Sequence, residues 1–409
     1  MEDKLMVGID LGDIMTQVRC ANLEKDWNIS TVLCKKKQED SWYIGKEAYQ
    51  CVLQGEGSLK DHLLSLVKRE DRAVFEGKCY TGEELLSTFF SELFSMLKRE
   101  TKKEKIGCVM LCLDYIETSF LNRIRSCVTK AGVEESLVHI ISREEAFLYY
   151  IMSQRREIWN HEVGLFELTK AGFHYFHLQV KRSLKELTVF ADSVCLEENF
   201  RVEELAGTSG KKLGDQMVAA YAERMLHGRL FSAVILTGEF FMRTDWAPSF
   251  MQIIGEKRRV YQDSNLFAQG CLSKAAEILR GQRDSGFTCI CQGRLDVSVS
   301  VDVLFGGKEK RLVMVPLGAV WYETDARAEF ILDEEREVAF LIASAHTGQQ
   351  EKKSFLSLEG FPNRPPKTTR VEMALRFLDA KTMEVTIRDL GFGELFAASD
   401  TVIRQEVML

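Results

Sequence analysis

The sequence has no surplus of positive charge. Lysine and arginine number 54 against 61 aspartates and glutamates, a formal net charge of −7. Bulk attraction to nucleic acid or to an anionic membrane is therefore excluded as a basis of function. The one short basic run, Lys35-Lys36-Lys37, is followed by Glu39 and Asp40 and reads as a solvated turn. No apolar stretch reaches the roughly 18 residues of a membrane-spanning helix. The N-terminus, Met1-Glu2-Asp3-Lys4-Leu5-Met6, lacks the basic-then-apolar order of a secretory signal. Only seven histidines occur, none at a zinc-type spacing from a cysteine, so no metal site is expected. The eleven cysteines are odd in number and scattered over apolar segments. That pattern fits reduced, buried thiols in a cytoplasmic protein rather than a disulfide framework. Low-complexity tracts and short solenoid repeats are also missing.

What is present is ordinary for a globular chain with a sizeable core: 45% hydrophobic and 28% charged residues over 409 positions, enough for two or three domains. Residues 5–11 form an apolar run closed by Gly12, which predicts a buried strand and a turn. Strands over 14–20 and 28–34 follow, then a helix near 58–69. Thr81 with Glu84 three residues on has capping-box spacing. Behind it, Leu85, Leu86, Phe89, Phe90, Leu93, Phe94 and Leu97 make a helical stripe. The continuous apolar run 106–113 predicts a strand buried on both faces, and helices are expected over 117–131 and from 143, with a short strand at 137–141 between. A second cycle gives strands near 163–168, 173–180, 186–194 and 231–236, and helices near 212–227, 246–254 and 265–280. From about 286 the helical periodicity stops. Alternating segments at 295–304, 311–316, 328–331, 337–343, 354–358, 370–378 and 382–388, with a hairpin signal at Gly306-Gly307, predict an all-β module. The linker is expected over 280–286. Cys289 and Cys291 stand two apart on a predicted strand.

The N-terminal Val7-Gly8-Ile9-Asp10-Leu11-Gly12 resembles the first phosphate hairpin of actin-like ATPases, and later segments resemble the DnaK-type (seventy-kilodalton heat-shock) chaperones of that superfamily in order. Tyr43-Ile44-Gly45-Lys46-Glu47-Ala48 resembles their early hairpin. Cys112-Leu113-Asp114-Tyr115 and Ile140-Ile141-Ser142-Arg143-Glu144-Glu145-Ala146 resemble the first connection between lobes. Leu236-Thr237-Gly238-Glu239 resembles the adenosine motif, and Asp263-Ser264-Asn265-Leu266-Phe267 the second connection. Leu295-Asp296-Val297 and the strands around 355–377 resemble the substrate-binding domain. The resemblance implies a two-lobed α/β actin-like ATPase fold over 1–284, with lobes of about 1–160 and 161–284. A β-sandwich over 285–409, without a helical lid, would follow.

The departures from the family bear on function. Asp13 and Ile14 replace the threonines of the first phosphate loop, and a carboxylate there would repel phosphate. The second loop, Glu167-Leu168-Thr169-Lys170-Ala171-Gly172, lacks the glycine run that lets backbone amides approach phosphate oxygens. Lys170 is either a phosphate contact or an exposed turn residue. Arg143 stands where the family has its catalytic glutamate, with Glu144 one position later as a substitute. Glu239 replaces the second glycine of the adenosine motif, and 217–231 is too short for the adenine-clamping insertion. Lys60 and Lys68 are both candidates for the phosphate-facing lysine. Asp10 survives, either to hold Mg²⁺ through waters or to cap a turn. By position Phe305, Phe330 and Val338 fall near the peptide groove, with Asp333-Glu334-Glu335 adding negative charge beside it; otherwise they are sandwich core. The expectation is a non-catalytic pseudo-chaperone or scaffold that binds a protein or peptide partner and holds no resident cofactor. The alternatives are a chaperone that binds Mg-ATP at low affinity and hydrolyses it weakly, and an actin-like structural protein.

Overall fold

The computed structural model describes residues 4–23, 25–182, 187–197, 200, 207–280, 286–333, 337–346 and 351–409. The chain separates into two compact units, Met1–Phe287 and Thr288–Leu409.

The first half of the first unit contains β1 (Lys4–Leu11), β2 (Met15–Cys20), β3 (Asp26–Ser30), β4 (Leu33–Lys36), β5 (Trp42–Ile44), α1 (Gly45–Leu53), β6 (Gly57–Lys60), α2 (Leu63–Arg69), β7 (Arg72–Phe75), β8 (Lys78–Thr81), α3 (Gly82–Thr101), β9 (Lys105–Leu113), α4 (Thr118–Lys130), β10 (Val138–Ser142) and α5 (Arg143–Met152). Its main sheet runs β10-β9-β1-β2-β3. Short turns leave β1, β2 and β3 antiparallel, while the helical crossovers make β1, β9 and β10 parallel. β9 is buried continuously from Gly107 to Leu113, as a strand covered on both faces must be. On α3 the capping box closes, with Glu84 N donating to Thr81 Oγ1 and Thr81 N to the Glu84 carboxylate. All seven residues of its apolar stripe are buried.

Two local expectations change. Residues 58–69 are not one helix. Tertiary pairing with β4 takes Gly57–Lys60 as a strand, His62 adopts a left-handed conformation (φ 53°), and the helix starts only at Leu63. Nor is 43–48 a hairpin, because Gly45, at φ +55°, turns the chain from β5 into α1.

The second half repeats the plan: β11 (Glu162–Thr169), β12 (Gly172–Arg182), β13 (Leu187–Glu197), α6 (Thr208–Leu226), β14 (Phe231–Thr237), α7 (Pro248–Gly255), β15 (Arg259–Gln262) and α8 (Leu266–Leu279). Five strands of its sheet run in the order β15-β14-β11-β12-β13. Again a consecutive hairpin series is antiparallel and the strands reached through helices are parallel. Phe166, Phe173, Phe241 and Phe250 centre its core. Helix α8 then returns to the first half and packs on α5 and β1. The approach is very close: a Cβ on Gly270 would lie 1.8 Å from the Ala146 carbonyl oxygen, and one on Gly8 2.2 Å from that of Ala268.

After β16 (Phe287–Ile290), the second unit holds β17 (Val297–Phe305), β18 (Lys308–Val315), β19 (Asp325–Leu332), β20 (Glu337–Ser344), β21 (Glu351–Ser357), β22 (Thr369–Asp379), β23 (Thr382–Gly391) and β24 (Val402–Met408). They form two antiparallel four-stranded sheets, β18-β17-β20-β21 and β19-β22-β23-β24. Apart from a single turn of 3-10 helix at Trp321–Glu323, no helix occurs there among the described residues. A buried pair lies near the end of β23: Arg364 donates to both oxygens of Asp389 at 2.9 and 2.8 Å. Against the cost of burial, Arg364, Ser399 and the Gly391 amide hold the Asp389 carboxyl well below the usual range. Most of the expected linker, residues 281–285, lies outside the described residues, as do Glu334 and Glu335.

Candidate functional site

The two main sheets each end a central strand with a carboxylate. Asp10 lies near the end of β1, beside Cys112 of β9 in the register. Glu167 lies near the end of β11, beside Thr237 of β14. Both are buried. Between them stands Arg143, the first residue of α5, set in place because Ser142 caps the helix and accepts from Glu145 N at 3.1 Å.

Arg143 donates through Nη1 and Nη2 to the two oxygens of Glu167, at 2.8 and 2.7 Å. Nη2 also donates to Asp10 Oδ2 at 3.1 Å, and Nη1 to Asp114 Oδ1 at 3.1 Å. Nε lies 3.1 Å from Asp10 Oδ1 but is out of line for a hydrogen bond. The guanidinium rests on the Phe267 ring of α8, 3.8 Å from its centroid. A planar fork with an apolar floor suits such bidentate pairing.

Three carboxylates share one guanidinium, so the cluster keeps excess negative charge. Burial pushes the Asp10 carboxyl up to about 6; Arg143 opposes this, and the charges of Asp114 and Glu167 add to it. The Cys112 thiol donates to Asp10 Oδ1 at 3.4 Å. Burial alone would favour loss of the Arg143 proton, but the surrounding carboxylates hold that group firmly charged.

The other residues singled out in the sequence are placed differently. Glu144 turns away from the cluster and bonds Ser193 Oγ on β13; its Oε2 is buried without a partner, and burial raises its carboxyl above the usual range. Asp13 serves α2. Its oxygens accept from Ser65 N (3.1 Å) and Ser65 Oγ (2.7 Å), and it pairs with His62 Nδ1 at 2.8 Å. Despite partial burial, these donors hold the Asp13 carboxyl below the usual range. The Gly12 carbonyl accepts from Thr31 Oγ1 at 2.7 Å. Lys170 is exposed in the two-residue turn that joins β11 to β12, a connection too short to wrap an anion. Gly238, at φ +90°, lies where a Cβ would be 2.2 Å from the Leu168 carbonyl oxygen. Glu239 is exposed, and the chain then carries Phe241 into the core, where it stacks on Phe250 at 5.0 Å.

Of the two candidate lysines, Lys60 belongs to β6, whereas Lys68 lines a cavity of about 150 Å³ with Gly12, Asp13, Ser65, Asp114 and Tyr115. Its ammonium sits 3.8 Å from the Tyr115 ring centroid. In the second unit, Phe305 (68% exposed) and Val338 lie on one sheet and Phe330 on the other.

Sequence reasoning marked Arg143 as a replaced glutamate and missed its use as a counterion for Asp10, Asp114 and Glu167. The available signal was an arginine directly following a buried strand, in a chain with carboxylates at three other strand ends. Among the described residues, no group of three or more histidines, cysteines, aspartates and glutamates has the geometry to hold a metal ion. No helix among them is long and apolar enough to cross a membrane.

In comparison with known proteins, no curated protein matches the chain. Residues 294–409 match a domain of unknown function, DUF8552. Residues 15–292 match the C-terminal part of a family of unknown function, DUF5716, and the chain belongs to that family.

Proposed function

We propose that the chain is a non-catalytic relative of the DnaK-type chaperones. On this reading it is a pseudo-chaperone or scaffold on an actin-like frame, acting in the cytoplasm through contacts with a protein or peptide partner. The repeated plan of the first unit supports the frame: two halves, each a hairpin series joined to parallel strands. The observation that carries the loss of catalysis is Arg143, whose guanidinium already occupies Asp10, Asp114 and Glu167. Phosphoryl transfer depends on cations and donors aimed at the phosphates. Here the carboxylates at the strand ends point into a protein side chain, and Asp13 is committed to α2. The residues do not fit Mg-ATP.

The cavity beside Gly12 with Lys68 supports weak nucleotide binding as the second reading. A thermal-shift titration with ATP and ADP, with and without Mg²⁺, decides between the two, since a specific ligand raises the melting temperature by mass action. No shift is expected. Low-micromolar binding of Mg-ATP with hydrolysis that disappears in Asp10→Ala would overturn the proposal.

A further inference from the structure

Cys289 and Cys291 have no part in the site above. They bracket Ile290 where β16 ends, and their sulfurs approach to 3.7 Å. The backbone around them is pinned. Arg294 N donates to the Cys291 carbonyl at 2.9 Å, and the Arg294 guanidinium donates to the Gly318 carbonyl at 3.0 Å. Leu295 N donates to the Ala319 carbonyl and Gly318 N to that of Leu295, both at 2.9 Å. Cys289, in β16, and Cys291, one residue past its end, are both buried and hold their thiols on one side. The sulfurs have to close from 3.7 Å to the roughly 2 Å of a sulfur–sulfur bond.

We propose that Cys289 and Cys291 form a reversible, peroxide-responsive dithiol at the start of the second unit. The balance is simple. One thiolate attacks hydrogen peroxide, breaks its O–O bond and becomes a sulfenic acid, releasing hydroxide that takes up the thiol's proton as water. The second sulfur then attacks the first, the S–O bond breaks, and a second water leaves. Two thiols are oxidised by two electrons and one peroxide is reduced. Transient, redox-sensing disulfides of this kind are the ones found in reducing compartments.

Two other thiol pairs bring together cysteines far apart in the chain, Cys34 beside Cys51 and Cys112 beside Cys271. The 289–291 ring closes between near neighbours in sequence.

The test treats the full chain with hydrogen peroxide, blocks residual thiols with iodoacetamide and maps the peptides by mass spectrometry. Two of the eleven thiols should disappear. The peptide spanning 289–291 should lose two hydrogens and escape alkylation, and dithiothreitol should restore both thiols. Cys289→Ser and Cys291→Ser should each abolish the bond; circular dichroism establishes that each variant folds, and the mapped wild-type peptide decides the matter if either does not. Retention of all eleven thiols, a disulfide between other cysteines, or an oxidised product that dithiothreitol does not reverse would overturn the proposal.

Discussion

Arg143 and Glu167 face each other as fork to fork, with two parallel hydrogen bonds of 2.8 and 2.7 Å, and this pair ties the start of α5 to the end of β11. The same guanidinium reaches Asp10 on β1 and Asp114 just beyond β9. One side chain therefore joins the sheets of both halves of the first unit. Asp114 is mostly exposed, but Asp10 and Glu167 are not. The linkage thus depends on a charge that water screens poorly.

Removing that charge should be costly. Arg143→Ala leaves Asp10 and Glu167 buried without a counterion, and breaking a buried pair in this way costs about 3–5 kcal/mol. Arg143→Lys keeps the charge and loses the fork, so its loss should be smaller. Hydrogen exchange of β1, β11 and α5 in the intact chain measures both. Protection in Arg143→Ala equal to that of the wild type would show that the cluster does not bind the two halves.

Asp10 should give the first unit a measurable pH dependence. Its carboxyl moves from an ordinary 3.8 to about 6, chiefly through burial. The folded protein therefore holds this proton more tightly than the unfolded chain. The stability it contributes is complete below pH 3.8 and is lost as pH rises through about 6. A shift of about two units corresponds to about 3 kcal/mol. Asp10→Asn cannot titrate, so wild type should lose ground to it by roughly that amount between about pH 4 and pH 7. Urea unfolding of both proteins across this range tests the sign, and a difference that stays constant, or moves toward wild type, contradicts the assignment.

Legibility in the sequence followed the range of the interactions involved. The α3 stripe and the β9 run were readable because their patterns are local, set by the period of a helix and by two-faced burial. The strands of the second unit showed as alternation for the same reason. β24 did not, because only Val407 of its seven residues is buried and the rest gives no alternating signal. Residues 57–60 misled because pairing with β4, far back in the chain, overrides the local pattern. The site was hardest. Asp13 reads as a misplaced charge in a phosphate loop until the fold brings Ser65 and His62 to it. Arg143 likewise reads as a lost catalytic residue until positions 10, 114 and 167 converge on it.

The crossing of α5 and α8 should be intolerant of a single methyl group. A Cβ on Gly270 would sit 1.8 Å from the Ala146 carbonyl oxygen and 2.6 Å from its carbon, and both are backbone atoms that cannot rotate away. The helices would have to separate. That motion cannot stay local, because α8 also carries Ala268, against which Gly8 of β1 packs, and Phe267, the floor beneath Arg143. Gly270→Ala gains up to about 1 kcal/mol in helix propensity. Overpacking of this kind typically costs about 1–3 kcal/mol, and here it also loosens the Arg143 cluster, so a net loss is expected. Gly255→Ala is the control. It lies at the last position of α7 with nothing within 4 Å of the added carbon, and should change stability little or raise it slightly. Thermal melts compare the two, and hydrogen exchange should show α5, α8 and β1 all losing protection in Gly270→Ala. If Gly270→Ala melts at or above the wild-type temperature, α5 and α8 do not cross at the spacing described, and the seat of Arg143 is not fixed by that crossing.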